Sequence, residues 1–189
     1  MGSQIIATKV ISPLVVPIKV AFYMSVFISM PVLFYQLWAF IAPALYYKEK
    51  YLLAPLLVIS SALFFAGVLF AYYIACPIAF KFFISALPAH VTMMTDINDY
   101  LSFLMQLMFA FGFCFEVPVI IFLVYYMGFL NEYTVKKIRP YVIVIAFILG
   151  MLLTPPDVVS QIMLAIPLWL FFELGILLAR LVLRKQRLK

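Results

Sequence analysis

Charge is scarce in this sequence. Of 189 residues, 13 are Lys or Arg, 7 are Asp or Glu and 1 is His. Charged residues amount to 11 % of the chain, against about a quarter in ordinary soluble proteins. A water-facing domain needs a polar shell that these residues cannot supply. The single histidine, His90, stands near Pro88 in a segment expected to be an outer loop. No apolar run therefore holds a histidine to activate a serine, as an intramembrane serine protease requires. No HExxH pattern is present, which excludes that class of zinc peptidase, and no GxxxxGK[ST] loop is present, which excludes ATP hydrolysis of that kind. Metal ligands are too few and too scattered for a site, and nothing calls for a cofactor. The two cysteines, Cys76 and Cys114, lie inside apolar stretches and read as packing residues rather than a disulfide. The first apolar run is too long for a secretory signal and has no cleavage pattern. No internal repeat is visible, which weighs against an inverted-repeat transporter.

What is present is apolar length. Hydrophobic residues make up 68 % of the chain and the mean hydropathy is +1.20, so the solvent for most of the surface is lipid. The runs are continuously apolar rather than alternating with period two, which favours helices over a β-barrel. The expected fold is an all-α integral membrane protein, a polytopic helical bundle with five transmembrane helices. They run from Pro17 to Leu45, Leu52 to Ile84, Tyr100 to Phe129, Pro140 to Leu153 and Val158 to Val182. The first three exceed what a bilayer requires and should tilt, kink or project. The last two read as short. At about 1.5 Å per residue the fourth spans roughly 21 Å, less than a hydrocarbon core of about 30 Å.

The connecting segments orient the chain. Lys48 and Lys50 lie in the loop at 46–51, Lys136, Lys137 and Arg139 in the loop at 131–139, and five more basic residues in the tail at 180–189. Lys9, Lys19 and Lys81 fall on the other side with Asp96, Asp99 and Asp157. The positive-inside rule makes the first set cytoplasmic, with the C-terminus. The net charge of +6 then needs no nucleic-acid partner. Residues 1–16 become an outer segment, followed by one transmembrane domain over 17–189. An odd number of spans leaves Met1 outside, which an absent upstream helix would explain.

Prolines punctuate the runs at Pro31, Pro55, Pro77, Pro118 and Pro167. Each removes a backbone donor, and both simple curvature and hinges on a concave surface remain open. Tyr and Trp near the ends of the runs, Tyr35, Trp38, Tyr72, Tyr73 and Tyr141 among them, read as interfacial anchors.

Two acids lie inside apolar runs. Glu116 sits deep in the third run, where a carboxylate costs at least about 2.5 kcal/mol. It is either a functional acid or a structural carboxyl bonded to a neighbouring carbonyl. Gly112, one turn earlier on the same face, permits close approach of a helix or ligand. Glu173, in the fifth run, is expected to pair with a basic residue near the cytoplasmic face. Glu49, between Lys48 and Lys50, reads by itself as an ordinary surface charge. Pro155 and Pro156 enforce a sharp turn, after which Asp157 can cap the next helix. Gln161 is placed to hydrogen-bond a neighbouring helix.

Several strings are more specific. Phe34-Tyr35-Gln36-Leu37-Trp38-Ala39-Phe40-Ile41-Ala42-Pro43-Ala44-Leu45-Tyr46 followed by Glu49, then Phe115-Glu116-Val117-Pro118, then Lys137-Ile138-Arg139-Pro140-Tyr141, and last Gly150-Met151-Leu152-Leu153-Thr154-Pro155-Pro156-Asp157 with Ser160-Gln161, stand in order along the chain. In order and spacing they resemble the TatC family of twin-arginine protein translocase subunits. That resemblance implies a six-helix, cup-shaped protein of the bacterial cytoplasmic (inner) membrane, here without the first helix and the acid that precedes it. It also implies a binding protein and not an enzyme. Its partners would be twin-arginine signal peptides of folded precursors, TatB, TatA and other TatC copies, with transport driven by the protonmotive force. Glu49, with Phe40 and Lys48 beside it, would face the signal-peptide arginines, and a carboxylate can hold a guanidinium bidentately. Glu116 would be the polar residue of the concave face, and Met151, Thr154 and Gln161 would meet partner helices. The competing expectation is a proton-coupled small-solute transporter using Glu116 and Glu173.

Overall fold

The computed structural model describes residues 5–6, 11–41, 53–85, 95–129, 132–153 and 158–187. The loop at 46–51, the neighbourhood of His90 and the turn at 154–157 lie outside them. The described chain is helical apart from one two-residue pairing. Strands β1 (Ile5–Ile6) and β2 (Thr95–Asp96) run parallel, with Ile5 opposite Thr95 and Ile6 opposite Asp96.

Helix α1 covers Ser12–Ile41. It begins five residues before the expected start at Pro17, so residues 12–16 of the expected outer segment are already helical. Leu14, Val15 and Val16 extend the apolar run, and the amides of Leu14 and Val15 both close onto the Ile11 carbonyl. Its buried stripe is Phe27, Met30, Phe34 and Trp38, spaced three or four apart. Most of the remaining surface is exposed. Ser25 and Ser29 on that surface donate to the carbonyls of Ala21 and Ser25, at 2.8 and 2.7 Å. A hydroxyl bonded to its own helix can face lipid at little cost.

The second span is one helical run built of α2 (Leu53–Phe70), a wider turn at Ala71–Ala75, and α3 (Cys76–Ser85). In the wide turn the Cys76 amide donates to the Ala71 carbonyl, five residues back. Pro77 follows at once. Proline cannot donate to the preceding turn and crowds it, and an expanded turn relieves both problems without ending the helix.

Helix α4 (Ile97–Tyr126) is the central rod. The Asp96 side chain caps it by accepting from the Asn98 amide at 2.8 Å. It packs against α2 on one side and against α6 (Val158–Arg187) on the other. Gly175 of α6 sits at the tightest point of that second contact. A methyl group there would lie 2.9 Å from the Pro118 carbonyl oxygen.

Helix α5 covers Glu132–Leu153 and packs on α6 and α4 through Val135, Ile138, Val142 and Ala146. The expected loop at 131–139 is thus helical from Glu132 onward. Helix α6, also expected to be short, has 30 residues; the apolar part of α5 is as short as expected, but its rod of 22 residues is roughly 33 Å long. Its charged first turns reach the interface, where Lys136 and Lys137 are exposed and long cationic side chains are well placed. Among the described residues, four stretches are long and apolar enough to cross a membrane, at 14–40, 55–85, 97–125 and 164–181.

Candidate functional site

Among the described residues, three polar contacts of the interior each join different helices. The deepest involves Glu116. Its side chain is 3 % exposed, because α4 turns it toward α2 rather than toward lipid. Gly112, one turn earlier, receives the Phe64 ring so closely that an added methyl would lie 2.6 Å from it. The sequence-level expectation that Gly112 admits close approach is met by α2. Beside Phe64, also one turn away, stands Ser60, fully buried. The Ser60 side chain lies beside the Glu116 carboxyl. It also accepts from the Trp38 indole N–H of α1 at 3.2 Å. Glu116 Oε1 has no hydrogen-bond partner. The acid is thus held at the junction of three helices, with Phe115 beside it wedged between Phe70 and Phe171.

Trp38 corrects an expectation. It is 3 % exposed and faces inward, whereas Tyr35, Tyr72, Tyr73 and Tyr141 are exposed and fit the interfacial reading. An indole N–H buried without an acceptor would be costly, and Trp38 places its own on the Ser60 hydroxyl.

The second contact joins α5 to α6. Arg139 donates to Glu173 Oε2 at 2.8 Å, with both side chains partly exposed. Glu173 was expected to pair with a basic residue, and it bonds Arg139 of α5. Glu116 faces α2, whereas Glu173 bonds to α5.

The third contact lies at the opposite end of the bundle. Lys19 of α1 donates to Asn98 Oδ1 at 2.7 Å and Ser102 Oγ at 3.1 Å on α4. Ser102 in turn donates to the Asn98 carbonyl. An ammonium near the start of an apolar helix thereby acquires two oxygen acceptors.

Of the residues expected to face a signal peptide, Phe40 is described. It lies at the end of α1 and is 84 % exposed. Lys48 and Glu49 lie outside the described residues, as do Thr154, Pro155, Pro156 and Asp157. Of the residues expected to meet partner helices, Met151 is exposed on α5. Gln161 is half-buried on α6, with its backbone against Gly150. The two lie where the end of α5 meets the start of α6.

Sequence reasoning missed Ser60, the inward role of Trp38, and the partners of Lys19. The available signal was chemical type: a serine within an apolar run needs an acceptor or a donor. Nothing in the sequence said which of Ser60 and Ser61 faced inward. Among the described residues no three His, Cys, Asp or Glu side chains come together to hold a metal ion.

The comparisons agree with one another. A family model described as Sec-independent protein translocase protein (TatC) matches residues 1–167. The chain is 52 % identical over 186 residues to the Sec-independent protein translocase protein TatC of Escherichia coli (strain K12), covering 98 % of this chain and 72 % of that protein. It is 52 % identical over 179 residues to the protein of the same name from Haemophilus influenzae, covering 95 % of this chain and 70 % of that one. Among solved structures it is similar to a crystal structure of the twin arginine translocase receptor TatC. The TM-score is 0.84 at 38 % identity, over 95 % of this chain and 79 % of the other. A second structure of that receptor, in DDM, gives 0.85 at 37 % identity. With matching sequence along nearly its whole length and a matching arrangement of helices, this membrane protein belongs to the TatC family.

Proposed function

We propose that the chain is the signal-recognising subunit of a twin-arginine translocase in a bacterial cytoplasmic membrane. It binds twin-arginine signal peptides of folded precursors and scaffolds TatB, TatA and further TatC copies for export driven by the protonmotive force. It works by binding and positioning rather than by catalysing a reaction. The observation that carries this reading is the likeness, in sequence and in fold together, to a twin arginine translocase receptor over 95 % of this chain.

Elementary chemistry assigns the roles. Glu49 supplies a carboxylate that pairs with signal-peptide arginines in a forked geometry. Lys48 stands next to it in the sequence. Phe40, exposed at the end of α1, offers an aromatic face to the apolar part of the peptide. Met151, Thr154 and Gln161 form the contact for an incoming partner helix, where a polar pair bonds a polar group on that helix. Glu116, buried on α4, is the polar residue inside the concave face. The C-terminus lies in the cytoplasm, as the basic tail favours. A small-solute transporter would need a connected path between its two acids, and Glu116 faces α2 whereas Glu173 bonds to Arg139 of α5.

The test is site-specific photocrosslinking. A crosslinker at position 47, which leaves the Glu49 carboxylate in place, captures a twin-arginine signal peptide. With the crosslinker kept there, Glu49→Ala abolishes capture, whereas Glu132→Ala leaves it intact. Equal behaviour of the two substitutions contradicts the assignment.

A further inference from the structure

The contact of α2 with α4 fixes which side chains meet. Gly67 lies against Phe111 while Phe64, one turn earlier, lies against Gly112, so the two helices run antiparallel. Ser60 is one turn before Phe64 and Glu116 is one turn after Gly112, about 6 Å along each axis in the same spatial direction. The two side chains therefore face each other, and both are buried, at 0 % and 3 % exposure. Ser60 has one proton to donate and two lone pairs with which to accept. Trp38 Nε1 can only donate, and it donates to Ser60 Oγ at 3.2 Å. With that donor in place, the Ser60 proton is left for the Glu116 carboxyl. Glu116 Oε1 itself has no hydrogen-bond partner.

We propose that Ser60 and Trp38 are positioning residues for Glu116: the indole orients the hydroxyl, and the hydroxyl holds the carboxyl between α1, α2 and α4 with Oε1 kept as an open acceptor. The inference rests on the reading that Glu116 serves transport, and it extends that role to two residues on two other helices. A packing role alone would be filled equally well by alanine at position 60 and phenylalanine at position 38, without two buried polar groups that need each other. The chain of bonds makes the position of α1 part of the acid's environment. Displacing α1 removes the indole donor, frees the hydroxyl to rotate and releases the carboxyl.

Two readouts on the full chain in its membrane complex test this. The first is the infrared band of the Glu116 carboxyl, identified by difference against Glu116→Gln. The second is the rate of export of a twin-arginine precursor. Ser60→Ala shifts the band and slows export about five-fold, the weight of one net hydrogen bond. Trp38→Phe shifts the band in the same direction. Ser60→Thr, which keeps the hydroxyl, restores the band and the rate. A band unmoved by Ser60→Ala overturns the proposal. So does a Ser60→Thr variant that behaves like Ser60→Ala, or a shifted band with export at the wild-type rate. Failure of the wild-type chain to support export of any such precursor would instead overturn the function proposed above, and the band would still decide the positioning.

Discussion

Replacing Gly67 with alanine places a methyl group 2.5 Å from the Phe111 carbonyl oxygen and 3.0 Å from Gly112 Cα. Both are backbone atoms of α4 and cannot rotate away. Ordinary contact begins near 3.4 Å, so α2 and α4 must part by about 0.9 Å. A gap of about 0.5–1 Å forfeits a quarter to a half of the attraction between facing atoms. Overpacking of this kind costs about 1–3 kcal/mol, and a clash with backbone belongs at the upper end, about 2–3 kcal/mol. Gly112→Ala is the comparison. Its methyl meets the Phe64 ring at 2.6 Å, and a ring can tilt, so the cost is about 1 kcal/mol. The assay is unfolding of the purified protein in mixed micelles by increasing SDS, followed by tryptophan fluorescence. Gly67→Ala should unfold at clearly lower SDS than Gly112→Ala, and both below wild type. A Gly67→Ala protein as stable as wild type, or more stable than Gly112→Ala, refutes the reasoning from the helix crossing.

The same assay tests the other two polar contacts. In a double-mutant cycle of Arg139→Gln and Glu173→Gln, the coupling is about 1 kcal/mol, modest because both side chains are partly exposed; strict additivity would contradict the pairing of α5 with α6. Lys19→Met removes the 2.7 and 3.1 Å bonds to Asn98 and Ser102 and should cost about 1.5–3 kcal/mol, as hydrogen bonds to a charged group do. A change under about 0.5 kcal/mol would mean that Lys19 is hydrated instead. Cys76 and Cys114 are free and buried, so neither should react with a maleimide in native micelles and both should react once SDS unfolds the chain. Rapid native labelling of either would contradict the packing around α4.

Much of the fold is legible in the sequence because lipid imposes a length. The long apolar runs ending near Leu45, Ile84 and Phe129 correspond to α1, the α2–α3 run and α4, and the acid in the third run is buried as its cost demands. The differences have physical causes. Lys136, Lys137 and Arg139 read as loop because charge marks the membrane boundary, yet a helix can cross that boundary while its long cationic side chains stay hydrated. Pro17 and Pro77 read as boundaries or kinks, and the structure carries the helix through both, at Pro77 with the help of a wider turn.

The inner face of α1 was not legible. Nearly every residue of that helix is apolar, so no polar face reveals by contrast that Phe27, Met30, Phe34 and Trp38 turn inward. Trp38 near the end of a run resembles an interfacial anchor until its partner is known. Ser60 and Ser61 are adjacent and chemically alike, and only the register of α2 on α4 separates the one that meets Glu116. Motif likeness pointed to Glu116 but carried no information on what holds it.

The most direct measurement concerns the side of the membrane on which Glu49 lies. With Cys76 and Cys114 replaced and a single cysteine at position 49, a membrane-impermeant maleimide is applied to intact cells and to inverted membrane vesicles. A signal-recognising acid must face the cytoplasm, where precursors are made, so labelling should occur in inverted vesicles and not in intact cells. Labelling from the outside of intact cells would place the acid beyond the reach of any precursor and contradict the proposed function.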